Sequence, residues 1–306
     1  MKQVSDIDLR LLRVFVVVVE ARGFAAAESY LNVSTSTISI HISNLEKRIG
    51  IRLCERGRGG FKLTERGAIV YEESKRILKS LDDYAGKIAS VKSLLAGRLV
   101  IGMSDALVTH PHFAISEAVR RFNQSANEVR FQLAVAPMQD LESDVVDGRI
   151  HAAIGPFPRT KSSLNYIPLF MEQHDLFCGE GHPLFNASRK LITKTDISTF
   201  PAVLRSFRQE FDRDQFGTVR EEASVSTIEA MLILLLTGSY IGFLPRHYAK
   251  PWVDAGKLFR LGEDQFSYDS QHALITRQGH RESLALSKFV DLVKEITLER
   301  RRLDSE

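Results

Sequence analysis

Apolar residues recur with helical spacing from the start of the chain. Leu11, Leu12, Phe15, Val18 and Val19 fall on one stripe behind Ser5 and Asp6, which can cap, and behind Asp8 near the positive end of the dipole. They predict an amphipathic helix reaching about Ala21 and ended by Gly23. Phe24 to Leu31, with Ala25, Ala26 and Ala27, predicts a short second helix that a neighbour can approach closely. Asn32 tolerates a left-handed stop and Ser34 can cap a third helix beginning near Thr35. In that third helix Ile38, Ile42, Leu45 and Ile49 form a buried stripe, while Thr35, Ser36, Thr37, Ser39, His41, Ser43 and Asn44 are short polar groups gathered toward its start. The segment from Leu53 to Leu63 reads as two short strands around a Gly-rich tip.

A long helix is predicted from Glu65, behind a Thr64 cap, to about Leu95. Its apolar positions fall into heptads, with Val70, Ile77, Tyr84 and Val91 at one position and Ser74, Leu81, Ile88 and Leu95 at the other. The seam calls for a partner helix from a second subunit, with packing on the larger remainder of the chain as the competing reading. From Gly97 onward the period changes. Strands and helices alternate: strands at Gly97 to Met103, Val129 to Ala136 and Ile150 to Ile154, with helices at Pro111 to Phe122 and Met138 to Asp147. A second set has strands near Tyr166 to Phe170, His174 to Gly179 and Ala202 to Leu204, a helix at Ser226 to Thr237 and a strand at Tyr240 to Leu244. A strand at His272 to Thr276 and a helix at Glu282 to Arg302 close the chain in α/β order.

Composition changes the picture only when it is divided. The 306 residues carry a net charge of +3, which by itself predicts no nucleic-acid partner. Residues 1–96, however, hold 16 Lys and Arg against 11 Asp and Glu, and residues 97–306 hold 25 against 27. The basic excess lies in Lys47, Arg48, Arg52, Arg56, Arg58, Lys62 and Arg66, against Glu55 and Glu65. That is the pattern of a phosphate-binding module joined to a neutral domain, although on charge alone a solvated face looks the same.

The chemistry on these elements points one way. Short polar side chains on the first turns of the third helix, Ser34, Thr35, Ser36, Thr37, Ser39, His41 and Asn44, can meet base edges in a major groove. The first-turn N–H groups can hold a phosphate. Arg56, Arg58 and Lys62 make the following hairpin a basic wing. No G-x-S-x-G, P-loop or G-x-G-x-x-G is present, and His110-Pro111-His112 lacks a third ligand, so neither catalytic residues nor a metal or other cofactor is expected. Cys54 and Cys178 have no metal or disulfide spacing, and Cys54 reads as a small core residue. No apolar run approaches membrane-spanning length and no export signal opens the chain, so a cytoplasmic protein is expected.

The residues Phe24-Ala-Ala-Ala-Glu28, Leu31-Asn-Val-Ser34, Ile38-Ser39, Leu45-Glu46, Gly50, Arg52-Leu53, Arg56 and Leu63-Thr64 with Gly67 carry a resemblance. This stretch resembles the winged helix-turn-helix of the LysR-type transcriptional regulators. Thr35, Ser36 and Ile40 depart from the family's usual Gln, Pro and basic or polar residue. The resemblance implies three parts: a winged helix-turn-helix at 1–65, a linker helix at 66–96, and an α/β, periplasmic-binding-protein-like (type 2) effector domain at 97–306. In the last, subdomain I is about 97–167 with 267–306, and subdomain II is about 168–266, joined by strands crossing near residues 168 and 266. Gly148, Gly155 and the run Gly238 to Pro245 fit, although His151 stands where Asp is frequent.

The resemblance also implies a small-molecule effector, with a carboxylate as one option, held between the subdomains. By position the candidates are Ser104, Asp105, Pro137, Phe157, Arg205, Ser206, Phe207, Ser226 and Thr227. Arg205 would suit an anionic effector and Asp105 an aminated one. Val70, Ile77, Leu81, Tyr84, Ile88, Val91 and Leu95 would pair subunits into a dimer or tetramer. The implied partners are double-stranded promoter DNA, the effector, a second copy and RNA polymerase. A binding or transport receptor and an enzyme are the alternatives; the first lacks an export signal and the second a catalytic constellation.

Overall fold

The computed structural model describes residues 6–303, apart from 58–59, 92–95, 126–127, 158–159, 188–191, 207–208, 218, 263 and 280–282. It divides into two compact units, Met1–Ile88 and Ala89–Glu306.

The first unit contains α1 (Asp6–Glu20), α2 (Phe24–Leu31), α3 (Thr35–Ile49), β1 (Cys54–Gly57), β2 (Gly60–Leu63) and α4 (Glu65–Val91). Its core is the apolar stripes read above: Leu11, Leu12, Phe15 and Val18 of α1 close on Ala27 and on Ile38, Ile42 and Leu45, with Leu53 and Cys54 beneath. Asn32 caps α2 in the left-handed conformation, its N–H bonded to the Glu28 carbonyl. Glu46 anchors the hairpin to α3, because its Oε1 accepts from the backbone N–H of Leu53 at 2.7 Å and of Cys54 at 3.3 Å. The wing is antiparallel, with Glu55 opposite Lys62. Thr64 accepts from the N–H of Gly67 and so starts α4.

Two charge assignments change. Asp8 is fully buried and bonded by the Arg48 guanidinium, with Nη2 to Oδ2 at 2.8 Å. Arg48 is therefore tied to its own module, although its side chain stays 40% exposed, and Asp8 serves as an internal ion-pair partner more than as a dipole charge. On α4, Val70 and Tyr71 are half-buried against the reader core, Tyr71 lying edge-on to Phe15 at 6.4 Å. Ser74 is buried and donates to the Val70 carbonyl at 2.6 Å. The start of the expected seam is thus spent inside the module, whereas Ile77, Tyr84 and Ile88 remain 40%, 62% and 44% exposed. Leu81 is half-buried. Leu95 and the Val91 side chain lie outside the described residues.

The second unit is built on one sheet with the strand order β4-β3-β5-β11-β6-β9-β7-β8, and β10 (Leu258–Arg260) pairs with β6. β3 (Ala96–Met103) runs parallel to β4 (Glu128–Val135) and β5 (Ala152–Gly155), and α5 (Ile115–Gln124), α6 (Met138–Val146) and α11 (Leu284–Leu303) cover this half. β7 (Pro201–Arg205) runs parallel to β8 (Arg220–Val225) and β9 (Ile241–Pro245) in the other half, flanked by α7 (Lys194–Ser198), α8 (Gln209–Phe216), α9 (Ile228–Leu235) and α10 (Arg246–Asp254). Two long antiparallel strands, β6 (Leu164–Gly179) and β11 (Ser267–Arg277), pass between the halves. They are the expected crossing strands.

The two strands predicted at Tyr166 to Phe170 and His174 to Gly179 are one continuous β6. His151 takes over an acceptor role, since its Nδ1 receives the Val100 N–H at 2.9 Å.

Candidate functional site

The N-terminal candidate is the outward face of α3. Ser34 caps the helix in an extended conformation, its Oγ accepting from the Thr37 N–H at 3.3 Å and lying 2.9 Å from both the Ser36 and Thr37 hydroxyls. The Glu28 carboxylate accepts from the Thr35 N–H, and the hydrogen bonds from Thr35 hold Glu28 below the usual carboxylate range. Two of the first-turn N–H groups expected to hold a phosphate are therefore already bonded within the module. Ser36, Ile40 and Asn44 form an exposed stripe one turn apart, continued by Lys47, on the side opposite Ile38 and Ile42. Thr35, Thr37, Ser39 and His41 are half-buried beside that stripe.

The C-terminal candidate is an open cleft with about 630 Å³ of empty space, the solvent at its mouth included. Its walls are the C-terminal ends of the parallel strands in both halves, where α/β sheets bind ligands. Ser104 and Asp105 follow β3, Ala136 and Pro137 follow β4, and Pro156 follows β5. Opposite them stand Arg205 at the end of β7, Ser226 and Thr227 after β8, and Pro245 at the end of β9. Glu172 and His174 of β6 and His272 of β11 complete the lining from the crossing strands.

Asp105 spans the cleft: its Oδ2 accepts from the Ile228 N–H in the first turn of α9 at 2.5 Å. Burial pushes the Asp105 carboxyl up, opposed by the Ile228 hydrogen bond and reinforced by the charge of Glu172. Arg205 is only 2% exposed and is bonded to Asp212 and to the Tyr268 hydroxyl. Glu172 is buried among imidazoles. Its Oε1 bonds His247 Nε2 at 2.8 Å, and its Oε2 lies 3.4 Å from His174 Nε2 and 3.6 Å from His272 Nε2. Burial works against its charge, yet the His247 hydrogen bond and the neighbouring rings lower its pKa to about 2. His247 Nδ1 in turn meets Thr109 Oγ1 at 2.8 Å, which joins α10 to the segment after β3.

Comparison with known proteins assigns the two domains that carry these candidates. Residues 9–68 match the family model described as "Bacterial regulatory helix-turn-helix protein, lysR family", and residues 92–297 match "LysR substrate binding domain". The chain belongs to the LysR family. It is 38% identical over 292 residues to the HTH-type transcriptional activator BauR of Pseudomonas aeruginosa, covering 95% of this chain and 96% of that protein. It is 26% identical to the SDS degradation transcriptional activation protein of a Pseudomonas species, covering 94% and 95%. In fold it matches full-length CbnR solved in complex with its target DNA, with a TM-score of 0.66 at 20% identity over 94% of this chain and 99% of that one. This LysR-type regulator is accordingly a DNA-binding transcriptional regulator with an effector-binding domain, as the sequence implied.

The regulator's structure sorts the candidate effector residues. Ser104, Asp105, Pro137, Arg205, Ser226 and Thr227 converge on the cleft. Phe157 does not line it and packs edge-on to Tyr166 at 6.4 Å, because its ring belongs to the core of its own half. Ser206 is exposed, with its N–H donated to the Val225 carbonyl, and does not line the cleft. Phe207 lies outside the described residues. Arg205, read from sequence as a cation for an anionic effector, has its charge answered by Asp212. Glu172, His174 and His272 were missed, because a charged residue in a strand reads as a break until its imidazole partners are brought together.

On the DNA side Arg58 lies outside the described residues and the Arg56 side chain is not described, while Lys62 is exposed on β2. The His110 ring lies edge-on to His247 at 4.8 Å and stacks on Phe170 at 4.1 Å, with His112 5.6 Å from it. Among the described residues no group of His, Cys, Asp or Glu, the Glu172 cluster included, is arranged to hold a metal ion. The Cys178 thiol is pushed up to about 12 by burial, the opposite of a reactive thiolate.

Burial, and then His247, push His110 down from 6.5 to about 4. A depressed imidazole binds its proton more weakly folded than unfolded, so His110 contributes stability above pH 6.5 that is lost as pH falls toward 4. Imidazole NMR resonances of His110 are expected to titrate near pH 4, with the melting temperature falling across the same window; titration near 6.5 would contradict the burial argument.

Proposed function

We propose that this regulator reads promoter DNA through the Ser36, Ile40 and Asn44 stripe of α3 with Lys62 of the wing on the backbone. Its effector binds in the cleft between the two halves of the C-terminal unit. The observation that carries the reading is the exposed stripe itself, the only face of α3 not committed to the module core. Ile40, an aliphatic side chain 59% exposed among polar ones, suits a thymine methyl group. The exposed Ile77, Tyr84 and Ile88 support subunit pairing through α4, and a twofold dimer would read a two-part site, with assembly to a tetramer and contact to RNA polymerase at the promoter in the cytoplasm. The 38% identical activator favours activation as the outcome.

Lys62→Ala is expected to weaken binding to operator and random DNA alike and to reduce the salt slope by about one phosphate contact, whereas Asn44→Ala alters sequence preference. Mobility shift over a salt series tests this, and equal effects of both variants on both DNAs would refute the division. A ligand favouring one cleft geometry would shift how the paired readers sit on DNA. Ala136→Phe, which fills the cleft, is expected to make operator binding indifferent to metabolite fractions that alter it for the natural chain. Persistence of the response would place the effector elsewhere.

A further inference from the structure

We propose that the effector carries a protonated amine, seated between the carboxylates of Asp105 and Glu172 and the hydroxyl of Ser104. The inference rests on the cleft being the effector site. A helix N-terminus and a guanidinium are the groups that ordinarily hold a ligand carboxylate. Here the chain occupies both itself. The first turn of α9 already donates the Ile228 N–H to Asp105, and the Arg205 guanidinium is closed by Asp212 and the Tyr268 hydroxyl.

The carboxylates of Asp105 and Glu172 each accept one bond already, from the Ile228 N–H and from His247 Nε2, but an ionised carboxylate has further acceptor positions for a ligand donor. Both residues line the cleft, and the charge of Glu172 disfavours that of Asp105. A ligand carboxylate would add a third like charge to this pair, whereas an ammonium would relieve the repulsion. Independently, the Ser104 Oγ is buried and has no hydrogen-bond partner among the described residues, although it lines the same space. Buried hydroxyls left unpaired are uncommon, and one that lines the same cleft as two carboxylates offers a third acceptor. An ammonium has three N–H donors and no acceptor, which matches these three groups. Val135, Met138 and Ile228, with Ala136 and three prolines, supply apolar lining, so the class is a short aliphatic amine, with or without a second polar end.

Titration calorimetry of the full chain with three four-carbon probes, 1,4-diaminobutane, 4-aminobutanoate and butanedioate, tests the inference. The two amine-bearing probes are expected to bind and butanedioate is not. Asp105→Asn, which keeps an oxygen for the Ile228 N–H, is expected to weaken amine binding at least tenfold, and Glu172→Gln likewise; melting curves establish that each variant is folded. Butanedioate binding that tightens in Asp105→Asn would overturn the amine and leave the cleft in place. Amine binding unchanged in both variants, or absent from the natural chain, would also overturn it. A bound probe whose affinity is untouched by Ala136→Phe would instead sink the cleft itself.

Discussion

Asp212→Ala is expected to destabilise the C-terminal unit by about 3–5 kcal/mol, the range for removing one partner of a buried ion pair. Arg205 and Asp212 are 2% and 1% exposed. Asp212 Oδ2 accepts from the backbone N–H of Arg205 at 2.9 Å and from its Nε at 3.0 Å, so one carboxylate satisfies both the end of β7 and the guanidinium. Without it a cation is left in the interior without its carboxylate, beside the Tyr268 hydroxyl. The pair itself adds less than this figure, because bringing both ions out of water costs much of what their attraction returns. A double change to Arg205→Met with Asp212→Leu is therefore expected to recover most of the loss. Denaturant unfolding of the three chains measures both effects. A loss below about 1 kcal/mol in Asp212→Ala would mean that the guanidinium reaches water and the site is not closed.

Phe15→Ala is expected to cost the N-terminal unit about 3–5 kcal/mol, through lost burial and the cavity left behind. Phe15 is fully buried at the meeting of α1, α3 and α4, with Tyr71 edge-on to it. A small module has little stability to spare, so this loss is expected to abolish operator binding at physiological temperature while the C-terminal unit still unfolds at its natural midpoint. Circular dichroism with mobility shift reads both. Full operator affinity in Phe15→Ala would show that Tyr71 and Val70 can collapse into the space.

The helices of the reader were legible because each buries a stripe of its own. Ile38, Ile42 and Leu45 predict their burial from spacing alone, and Asn32 and Ser34 mark the turn by conformations other residues resist. The C-terminal unit was less so. β8 is mostly exposed and shows no alternation, so it went unread. α10 was hidden by Pro251, which the helix accommodates because a proline six residues into it removes a single intrahelical bond.

The cleft divides along the same line. Ser104, Asp105, Pro137, Ser226 and Thr227 were found from position, since strand ends in such sheets face the ligand space. By itself the sequence determined the family, the three helices of the N-terminal module and most of the strand-end residues that line the cleft, all of which depend on residues close together along the chain. Only the tertiary structure decided which charges remain for a ligand. Arg48 meets Asp8 forty residues away, Arg205 turns from solvent to Asp212, and Glu172 draws its imidazoles from β6, β11 and α10. An ionic group's role depends on what lies within a few ångströms of it after burial, and that neighbourhood is assembled from distant segments.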